Sequence, residues 1–524
     1  MAARDDDRAS RKRVMPPALA VMTAPLEASP GADALPLRRV RIVMALAGCV
    51  GLALLCRLPF VTVPLTQDEG GYAYVARLWA AGTRLYDGAW MDRPQGLALL
   101  FRLVVSVAPS TMGLRLWGAA YAAASALLLA YVGWRLYGTA SALGAAALYA
   151  VFSSEPQIEG FTVNGELLAT LPTIAAVAAL LRAQRVARGG SWLYLAGFCA
   201  GSALLIKQSA LDGAGIVLLF ALLGRPTGWR ARISRFALVA AGLATAVALS
   251  AMHGAMTGWH NYVDAVLLDN LRYHSAEASS DSPALALQGM QWFWAGDAFL
   301  VVAALPGVLV VLRERSSIRR MPLAWLPAAA LGVTLGGLYN RHYFVQLLPP
   351  LCLLAAAGLV RIVRLARHAP AAGLLLVIPL AALGLTAQTD APYYVGNTPA
   401  EVAHHLYIWP EYRYQNALVA AIRRHVPPGT PFFVAFAAPE LHYLADRPSV
   451  TRYLWRRPLG ELPGAYEAVL HAVDRDVGGP VCVVVVQDVT RPPGDQRMRT
   501  AILRHYRRVW SRPGLSIYCR PHGP

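Results

Sequence analysis

Charge is scarce in this sequence, and lysine is almost absent from it. Of 524 residues only 15% are charged, whereas 56% are hydrophobic, and the mean hydropathy is +0.42. Lys12 and Lys207 are the only lysines among 48 basic residues, so arginine supplies nearly all of the positive charge. This composition excludes an ordinary soluble enzyme and is typical of a polytopic membrane protein.

The signature motifs of several enzyme classes are also missing. The sequence shows no evident glycine loop for nucleotides, no HExxH or CxxC zinc pattern and no GxSxG nucleophile elbow. The net charge of +18 would suit a nucleic-acid-binding protein, but the basic residues lie in short clusters between apolar runs and in the terminal regions. This distribution indicates membrane topology and argues against nucleic acid as a partner.

Eleven apolar runs predict membrane-spanning helices. They cover residues 40–63, 114–136, 139–153, 165–182, 192–206, 209–223, 234–256, 297–312, 321–339, 342–363 and 370–388. A further apolar segment, 93–113, is predicted to be an amphipathic helix in the outer interface, because counting it as a span would invert every later loop. Residues 1–38 are small, polar and proline-containing, so they are predicted to form a disordered cytoplasmic tail.

Basic clusters recur in every second loop and thereby predict the orientation of the chain. The arginines in 38–41, 182–188, 225–235, 313–320 and 361–367 face the cytoplasm by the positive-inside rule. The intervening loops are poor in arginine but hold acids, among them Asp68, Glu69, Glu155, Glu159 and Asp264. We therefore expect a multi-pass protein of the cell membrane with a cytoplasmic N-terminus.

Residues 389–524 differ in pattern from the rest and are expected outside the cytoplasm. Short β-rich runs at 431–436, 481–487 and 515–519 alternate with helical patterns at 412–425, 438–445, 461–474 and 495–507. This alternation predicts a small α/β domain. Cys482 and Cys519 fall in two predicted strands, and we expect them to form a disulfide, because such bonds persist outside the cytoplasm.

Two adjacent acids follow the first predicted span, in the segment TQDEGGYAYVARLWAAGTRLYDGAWMDRPQG of residues 66–96. Asp68 and Glu69 thus lie within a few residues of the membrane surface. A carboxylate in that position can deprotonate a hydroxyl group of a membrane-embedded substrate. An alternative stays open, in which the pair merely caps an interfacial helix, since acids are favoured in the first helical turn.

Positive charge is expected close to these acids. Lys207 lies between two apolar runs on the outer side, where its ammonium group needs an anionic partner. That partner is a phosphate or a carboxylate such as Asp212 or Glu166. In the simpler alternative, the lysine only extends to the outer lipid headgroups.

A second cationic cluster precedes the run at 342–363. Arg341 and His342, flanked by Tyr339 and Tyr343, bring a guanidinium group, an imidazole and two phenols to one membrane-level position. External acids and external cations together indicate a reaction in which a base activates a hydroxyl group while cations hold a phosphate.

These motifs give the chain a resemblance to a known family. The segments DEGGYAYVARLWAAGTRLYDGAWMDRPQG, LLIKQSAL and HYFVQLLPPLCLLAA, with the order of helices over 40–390, resemble the C-type integral-membrane glycosyltransferases. The relevant members are the dolichyl-phosphate-mannose protein mannosyltransferases and the lipid A aminoarabinose transferases. The resemblance implies a transmembrane transferase domain at 39–388, a catalytic external loop at 64–113 and an extracytoplasmic α/β domain at 389–524.

The resemblance also implies an activity and roles for residues. A sugar would pass with inversion from a polyprenyl-phosphate donor in the membrane to a hydroxyl group of a cell-envelope lipid, glycan or protein. Asp68 would be the catalytic base, and Glu69 its neighbour in orientation or metal binding. The residues expected to bind the donor phosphate are Lys207, Arg341, His342 and Arg93. The residues expected to bind substrate are Tyr72, Glu166, Tyr339 and Tyr343.

Two features of this assignment depart from the family or stay open. Arg93 stands where the family commonly has lysine in a KPP-like motif, and Gln95 replaces the second proline. A divalent ion held by Asp68, Glu69 or His342 stays open as a cofactor, since no spacing in the sequence demands one.

A transporter or flippase of polyprenyl lipids is the main alternative function. Such a protein would show internal repeats and broken helices with charge near the middle of the membrane. The sequence shows no clear repeat, and its polar residues cluster at one membrane face. Both observations favour the transferase.

Overall fold

A computed structural model describes residues 35–186, 189–224, 228–272, 282–407, 409–435, 438–456, 459, 462–475, 478–486 and 493–521. Of the tail predicted for 1–38, residues 1–34 lie outside the described part of the chain. The last four residues of the tail are helical, because the first helix begins at Leu35.

Helices, most of them apolar, make up most of the described chain before residue 395, as the need to satisfy every backbone group within lipid requires. They are α1 (Leu35–Leu55), α2 (Gln67–Ala80), α3 (Gln95–Val107), α4 (Thr111–Tyr137), α5 (Thr139–Phe152), α6 (Gly165–Ala183), α7 (Gly190–Ile206), α8 (Leu211–Leu223), α9 (Trp229–Thr257), α10 (Trp259–Val263), α11 (Ser282–Leu312), α12 (Met321–Thr334), α13 (Leu348–Ala366) and α14 (Val377–Tyr394). The 3₁₀ turns Arg341–Leu347 and Pro370–Leu376 lead into α13 and α14.

Each of the eleven runs predicted to span the membrane contains a helix, although the helix of the run 40–63 ends at Leu55 and that of the run 321–339 ends at Thr334. Among the described residues, seven stretches are long and apolar enough to cross a bilayer: Arg39–Phe60, Thr111–Tyr137, Gly165–Ala183, Trp229–Thr257, Ser282–Leu312, Arg341–Ala366 and Pro370–Tyr394. The other four predicted spans are α5, α7, α8 and α12, which have 13 to 17 residues. The run predicted at 297–312 begins earlier, at Ser282, so it is longer than its apolar core suggests.

The helices differ in how deeply they lie within the protein. Most of α6 and of the segment containing α13 is buried, whereas α1 and α14 are largely exposed along their apolar lengths. The central helices therefore pack on other helices, and the peripheral ones present their apolar side chains to lipid. The segment predicted as an interfacial helix is α3, and the guanidinium group of its Arg102 lies 4.9 Å from the ring of Trp79.

The last part of the chain contains a four-stranded sheet flanked by short helices. The helices are α15 (Pro399–Leu406), α16 (Pro410–His425), α17 (Glu440–Ala445), α18 (Ala465–Asp474) and α19 (Pro493–His505). The strands are β1 (Phe433–Ala435), β2 (Cys482–Val486), β3 (Arg507–Arg512) and β4 (Leu515–Cys519), in the order β1-β2-β4-β3. Strands β1 and β2 are parallel, and the other neighbours are antiparallel.

Three of these strands and the disulfide were expected. Cys482 and Cys519 face each other across β2 and β4 and form the predicted disulfide. Cys49, Cys56, Cys199 and Cys352 are free. Strand β3 was not predicted, because its residues RRVWSR are nearly all exposed and show no apolar alternation. The helix predicted at 495–507 accordingly ends at His505, and β3 begins two residues later, at Arg507.

The segment with the sheet packs directly on α2, and two glycines permit the close approach. A Cβ atom at Gly70 would lie 2.1 Å from Cβ of Glu440 in α17. A Cβ atom at Gly71 would lie 2.5 Å from Cζ2 of Trp455. Since no larger residue fits, the glycine pair of the DEGGY motif allows α17 and Trp455 to lie against the start of α2.

Arg77 stabilises the contact between α2 and α17 at the C-terminal end of both helices. Arg77 of α2 donates hydrogen bonds to the carbonyl groups of His442 and Tyr443, at 3.0 and 3.3 Å, and pairs with Asp446 at 2.8 Å. These carbonyls belong to the last turn of α17, whose free oxygens attract a cation. Helix α2 thus joins the membrane helices to the segment with the sheet.

Candidate active site

A cavity of about 530 Å³ lies where the loops at one end of the helix bundle meet the segment after α14. Its lining comes from the start of α2, the loop before α6, the first half of α11, the turn before α13, and the region of α15 and α16. Three residues predicted from the sequence line it: Asp68, Arg341 and His342.

The first turn of α2 begins with a capping box. The hydroxyl group of Thr66 accepts a hydrogen bond from the amide of Glu69 at 3.3 Å, and Oε2 of Glu69 accepts one from the amide of Thr66 at 3.1 Å. This is the reciprocal arrangement that a T-x-x-E sequence favours at a helix start. It places Asp68 in the first turn, where the helix dipole stabilises a carboxylate.

Glu69 is fully buried, and both of its oxygens are engaged. Besides the bond to Thr66, Oε1 accepts a hydrogen bond from the amide of Val163 at 2.7 Å and pairs with Nη1 of Arg115 at 2.9 Å. The alternative in which the acids cap an interfacial helix therefore applies to Glu69. Asp68, one residue earlier, is the acid that lines the cavity.

Asp68 is half-buried and receives a hydrogen bond at its carboxylate. Oδ1 accepts this bond from Nε1 of Trp455 at 3.1 Å. Burial raises the pKa of the Asp68 carboxyl above its ordinary value, and the nearby charges of His342, Arg93 and Lys207 offset part of that rise. A raised pKa makes the carboxylate a stronger base, which is the property that proton abstraction requires.

Lys207 is buried beside this acid. Only 6% of it is exposed, it forms an ion pair with Glu166, and its ammonium nitrogen lies 4.2 Å from the centre of the Tyr343 ring. The alternative in which Lys207 reaches the lipid headgroups is therefore wrong. Asp212, the other carboxylate considered, instead accepts a hydrogen bond from Trp325 at 2.7 Å.

His342 links two acids at the edge of the cavity. Its Nδ1 lies 2.9 Å from Oε2 of Glu159, and its Nε2 lies 4.0 Å from Oε1 of Glu166. Glu159 has a left-handed backbone with φ of 52°, which turns the chain after the 3₁₀ turn Pro156–Ile158. The imidazole, Glu166 and Lys207 form one polar cluster next to Asp68.

Arg341 faces the cavity from its other side. Its guanidinium carbon lies 4.3 Å from the ring of Trp292, which fixes the plane of the group. Among the described residues, Nη1 of Arg341 has no hydrogen-bond partner. This nitrogen is a donor suited to an anionic ligand.

The remaining predicted residues surround the cavity without lining it. Arg93 forms an ion pair with Asp92 and acts electrostatically on Asp68. Tyr72 is buried, with its ring 5.5 Å from that of Trp455, and burial raises the pKa of its phenol well above the ordinary value. Tyr339 has a left-handed backbone with φ of 48°. Tyr72, Tyr339 and Tyr343 are not among the described residues that line the cavity.

Aromatic residues after α14 line the cavity, and they were not among the predicted site residues. The rings of Tyr407 and Tyr412 lie in contact, tilted by 45° with centres 4.8 Å apart, and His405 and Trp409 also line the cavity. The local sequence HHLYIWPEY is rich in aromatic and histidine residues, and this composition was the available signal. Trp292, on α11, lies in the equally aromatic segment QWFW of residues 291–294.

The residues considered for a metal ion do not fit one. Both oxygens of Glu69 are engaged elsewhere, and Nδ1 of His342 is bonded to Glu159. Within the described parts of the chain, no group of three or more His, Cys, Asp or Glu side chains could hold a metal ion. The set Asp68, Glu69 and His342 therefore does not converge on a common point.

Comparisons with known proteins agree at the level of the fold. No protein-family model matches the chain, and no curated protein sequence matches it. The crystal structure of ArnT from Cupriavidus metallidurans bound to undecaprenyl phosphate matches 92% of this chain and 99% of ArnT, with a TM-score of 0.61 and 14% identity. The chain has the fold of the C-type membrane glycosyltransferases.

A second C-type structure supports the same conclusion. The archaeal oligosaccharyltransferase AglB from Archaeoglobus fulgidus, in complex with an inhibitory peptide and a dolichol-phosphate, matches 93% of this chain and 75% of its own, with a TM-score of 0.56 and 13% identity. The C-type fold predicted from the sequence is thereby confirmed. At these identities the comparison establishes the fold, and the chemistry is argued from the site itself.

Proposed function

We propose that the protein is a membrane glycosyltransferase that moves a hexose or pentose from a polyprenyl-phosphate donor to a hydroxyl group of a cell-envelope lipid, glycan or protein. The observation that carries this proposal is the carboxylate of Asp68 in one cavity with Arg341 and His342, and with Lys207 and Arg93 acting on it electrostatically. A base beside several cations is what transfer from a phosphate donor requires. The polyprenyl phosphates bound to ArnT and AglB support the choice of donor.

The proposed reaction is a single displacement. Asp68 takes the proton of the acceptor hydroxyl group while the oxygen attacks the anomeric carbon. The bond between that carbon and the phosphate oxygen breaks, and its electron pair stays on the phosphate. The products are an inverted glycoside and polyprenyl phosphate, and the proton is on Asp68.

The cations act on the leaving group. The phosphate gains negative charge as the bond breaks, and Arg341 offers Nη1, which has no partner among the described residues. Lys207 and Arg93 add positive charge that acts on Asp68. Cations placed in this way stabilise a phosphate anion, so that no general acid is needed.

The surrounding residues have supporting roles in this proposal. Glu166 and Tyr343 hold the ammonium group of Lys207, and Glu159 holds the imidazole of His342. Glu69 positions the start of α2 and does not touch the substrate. The apolar surfaces of the helices accept the isoprenoid tail, and each buried CH₂ group contributes about 0.8 kcal/mol.

The decisive experiment is sugar transfer by purified protein from a panel of radiolabelled polyprenyl-phosphate sugars to membrane-extract acceptors. We expect Asp68→Asn to lower transfer by about 10²- to 10⁴-fold, as loss of a general base does, with donor binding retained. The matched control is Asp474→Asn, because Asp474 is exposed at the end of α18. It should transfer at the wild-type rate.

Other outcomes would contradict the proposal. Undiminished transfer by Asp68→Asn would place the base elsewhere. Movement of labelled donor lipid across reconstituted vesicles, without any glycosidic product, would favour the polyprenyl-lipid flippase instead.

A further inference from the structure

We infer that Trp455, which lies 387 residues after Asp68, is a positioning residue for the Asp68 carboxylate. The inference rests on the proposed function and extends it to a part of the chain outside the membrane helices. Nε1 of the indole donates a hydrogen bond to Oδ1 of Asp68 at 3.1 Å. An indole nitrogen is a donor only, so this contact selects a carboxylate oxygen as acceptor and favours its ionised form.

The indole approaches Asp68 from the side away from the cavity. Asp68 is among the cavity-lining residues, whereas Trp455, which is also described, is not. The hydrogen bond therefore holds Oδ1 against the protein and leaves Oδ2 for the proton of the acceptor hydroxyl group. A carboxylate held in one orientation loses less entropy when it reaches the transition state.

The position of the indole ring is tightly determined. Gly71 leaves room for it, since a Cβ atom there would lie 2.5 Å from Cζ2 of Trp455. The Tyr72 ring packs on it with centres 5.5 Å apart. Leu454, the residue before it, is buried in the same apolar core as Tyr72.

The segment that carries Trp455, residues 449–455, is fastened to the first external loop at three further points. The amide of Ser449 donates to the hydroxyl group of Tyr74 at 2.8 Å. Arg452 donates to the carbonyl of Asp87 at 3.0 Å, and the Tyr453 ring lies 5.8 Å from that of Trp90. Four contacts along seven residues hold the indole in register with Asp68, which is what a positioning role requires.

The indole is one of several groups that act on the protonation of Asp68. The titratable and charged groups that act on Asp68 are His342, Arg93, Asp92, Lys207, Glu440, Tyr72 and Tyr343. A donor to the ionised carboxylate lowers the pKa of Asp68 and opposes the effect of burial. Removal of this donor should therefore raise the pH at which Asp68 becomes an active base.

The test compares full-length wild type with Trp455→Phe, which keeps an aromatic ring but removes the donor. We expect kcat to fall about tenfold, the KM for the donor lipid to stay unchanged, and the acid limb of the kcat/KM profile to move up by about one pH unit. Trp510→Phe is the matched control, since Trp510 lies in β3 and packs on a different core. It should leave the profile unchanged.

A second variant guards against misfolding. Incorporation of benzothienylalanine at position 455 keeps the size of the indole and replaces its N–H by sulfur, and it should move the acid limb as Trp455→Phe does. A fall in kcat at every pH with the acid limb in place indicates a purely structural contact and overturns the inference. If Trp455→Phe transfers sugar at the wild-type rate at every pH, the inference is also overturned. Absence of transfer by the wild type instead overturns the proposed function, and the inference with it.

Discussion

Asp68 and Glu69 are neighbours in sequence whose carboxylates serve different purposes. Successive residues of an α-helix point about 100° apart, so the two side chains of α2 cannot face the same surroundings. Glu69 faces Arg115 and the amide of Val163, and Asp68 faces the cavity. Glu69 therefore stabilises the fold, whereas Asp68 is available to a substrate in the cavity.

We predict that Glu69→Gln destabilises the protein by about 3 kcal/mol or more, because it leaves the guanidinium group of Arg115 buried without its counter-charge. Arg115 is only 2% exposed. Glutamine still completes a capping box, so the variant isolates the ion pair from the helix cap. The measurement is thermal unfolding of purified protein in detergent.

The control for this prediction removes both charges. Glu69→Gln combined with Arg115→Met should recover part of the lost stability, since no unpaired charge then stays buried. A double variant that is less stable than Glu69→Gln alone would show that the ion pair does not account for the loss.

At the scale of elements, the contact of α16 and α17 with α2 contains two buried acids. Glu440 is fully buried, and Glu411 is 4% exposed. Burial raises the pKa of Glu411 to about 7, and it raises the pKa of Glu440 well above the ordinary value. The two acids are thus protonated more readily in the folded protein than in the unfolded chain, and this contact should depend on pH.

We predict that protonation of Glu411 stabilises the folded protein at pH 5 and that this contribution is lost at pH 8, whereas His442 in the same contact, whose pKa burial lowers to about 3, acts in the opposite direction. The folded-state pKa of Glu411, about 7, lies above the ordinary value of 4.5. The stabilisation from its protonated form is therefore fully present below about pH 4.5 and is lost as the pH rises through about 7. Thermal unfolding measured from pH 5 to pH 8 checks this.

A variant without the titrating group tests the cause. Glu411→Gln should lose less of its melting temperature between pH 5 and pH 8 than the wild type does. Glu467→Gln, at an exposed position of α18, should behave as the wild type. Equal pH dependence in the wild type and Glu411→Gln would assign the effect to other groups.

At the scale of the whole molecule, the cavity lies at one end of the helix bundle. The loops after α1, α5 and α12 and the first half of α11 contribute to it, whereas the arginine-rich loops follow the far ends of α6, α8 and α11. The positive-inside rule assigns the arginine-rich end to the cytoplasm. We therefore propose that the cavity and the sheet face outward, where a disulfide such as Cys482–Cys519 persists.

Cysteine labelling tests this orientation. In a chain without its four free cysteines, a membrane-impermeant maleimide should label Asp474→Cys on intact cells, and Arg315→Cys only after permeabilisation. Both positions are exposed. The opposite pattern would invert the proposed topology and place the cavity in the cytoplasm.

The amino-acid sequence by itself determined the features that depend on local chemistry. The length of each apolar run predicted the helices, loop arginines predicted an orientation, and alternating patterns predicted three of the four strands. The T-x-x-E sequence at Thr66 is enough for a helix start. These features depend on residues that are close together in the chain, so they can be predicted from the sequence.

Only the tertiary structure decided which residues share the site. In the folded protein Lys207 pairs with Glu166 and not with Asp212. Asp68, and not Glu69, lines the cavity. Trp455 contacts Asp68 although 387 residues separate them in the chain. Such contacts depend on how whole elements pack, and the exposed strand β3 shows that pairing can occur with no local apolar signal. Helix direction, close approach at Gly70 and Gly71 and burial are properties of the assembled fold.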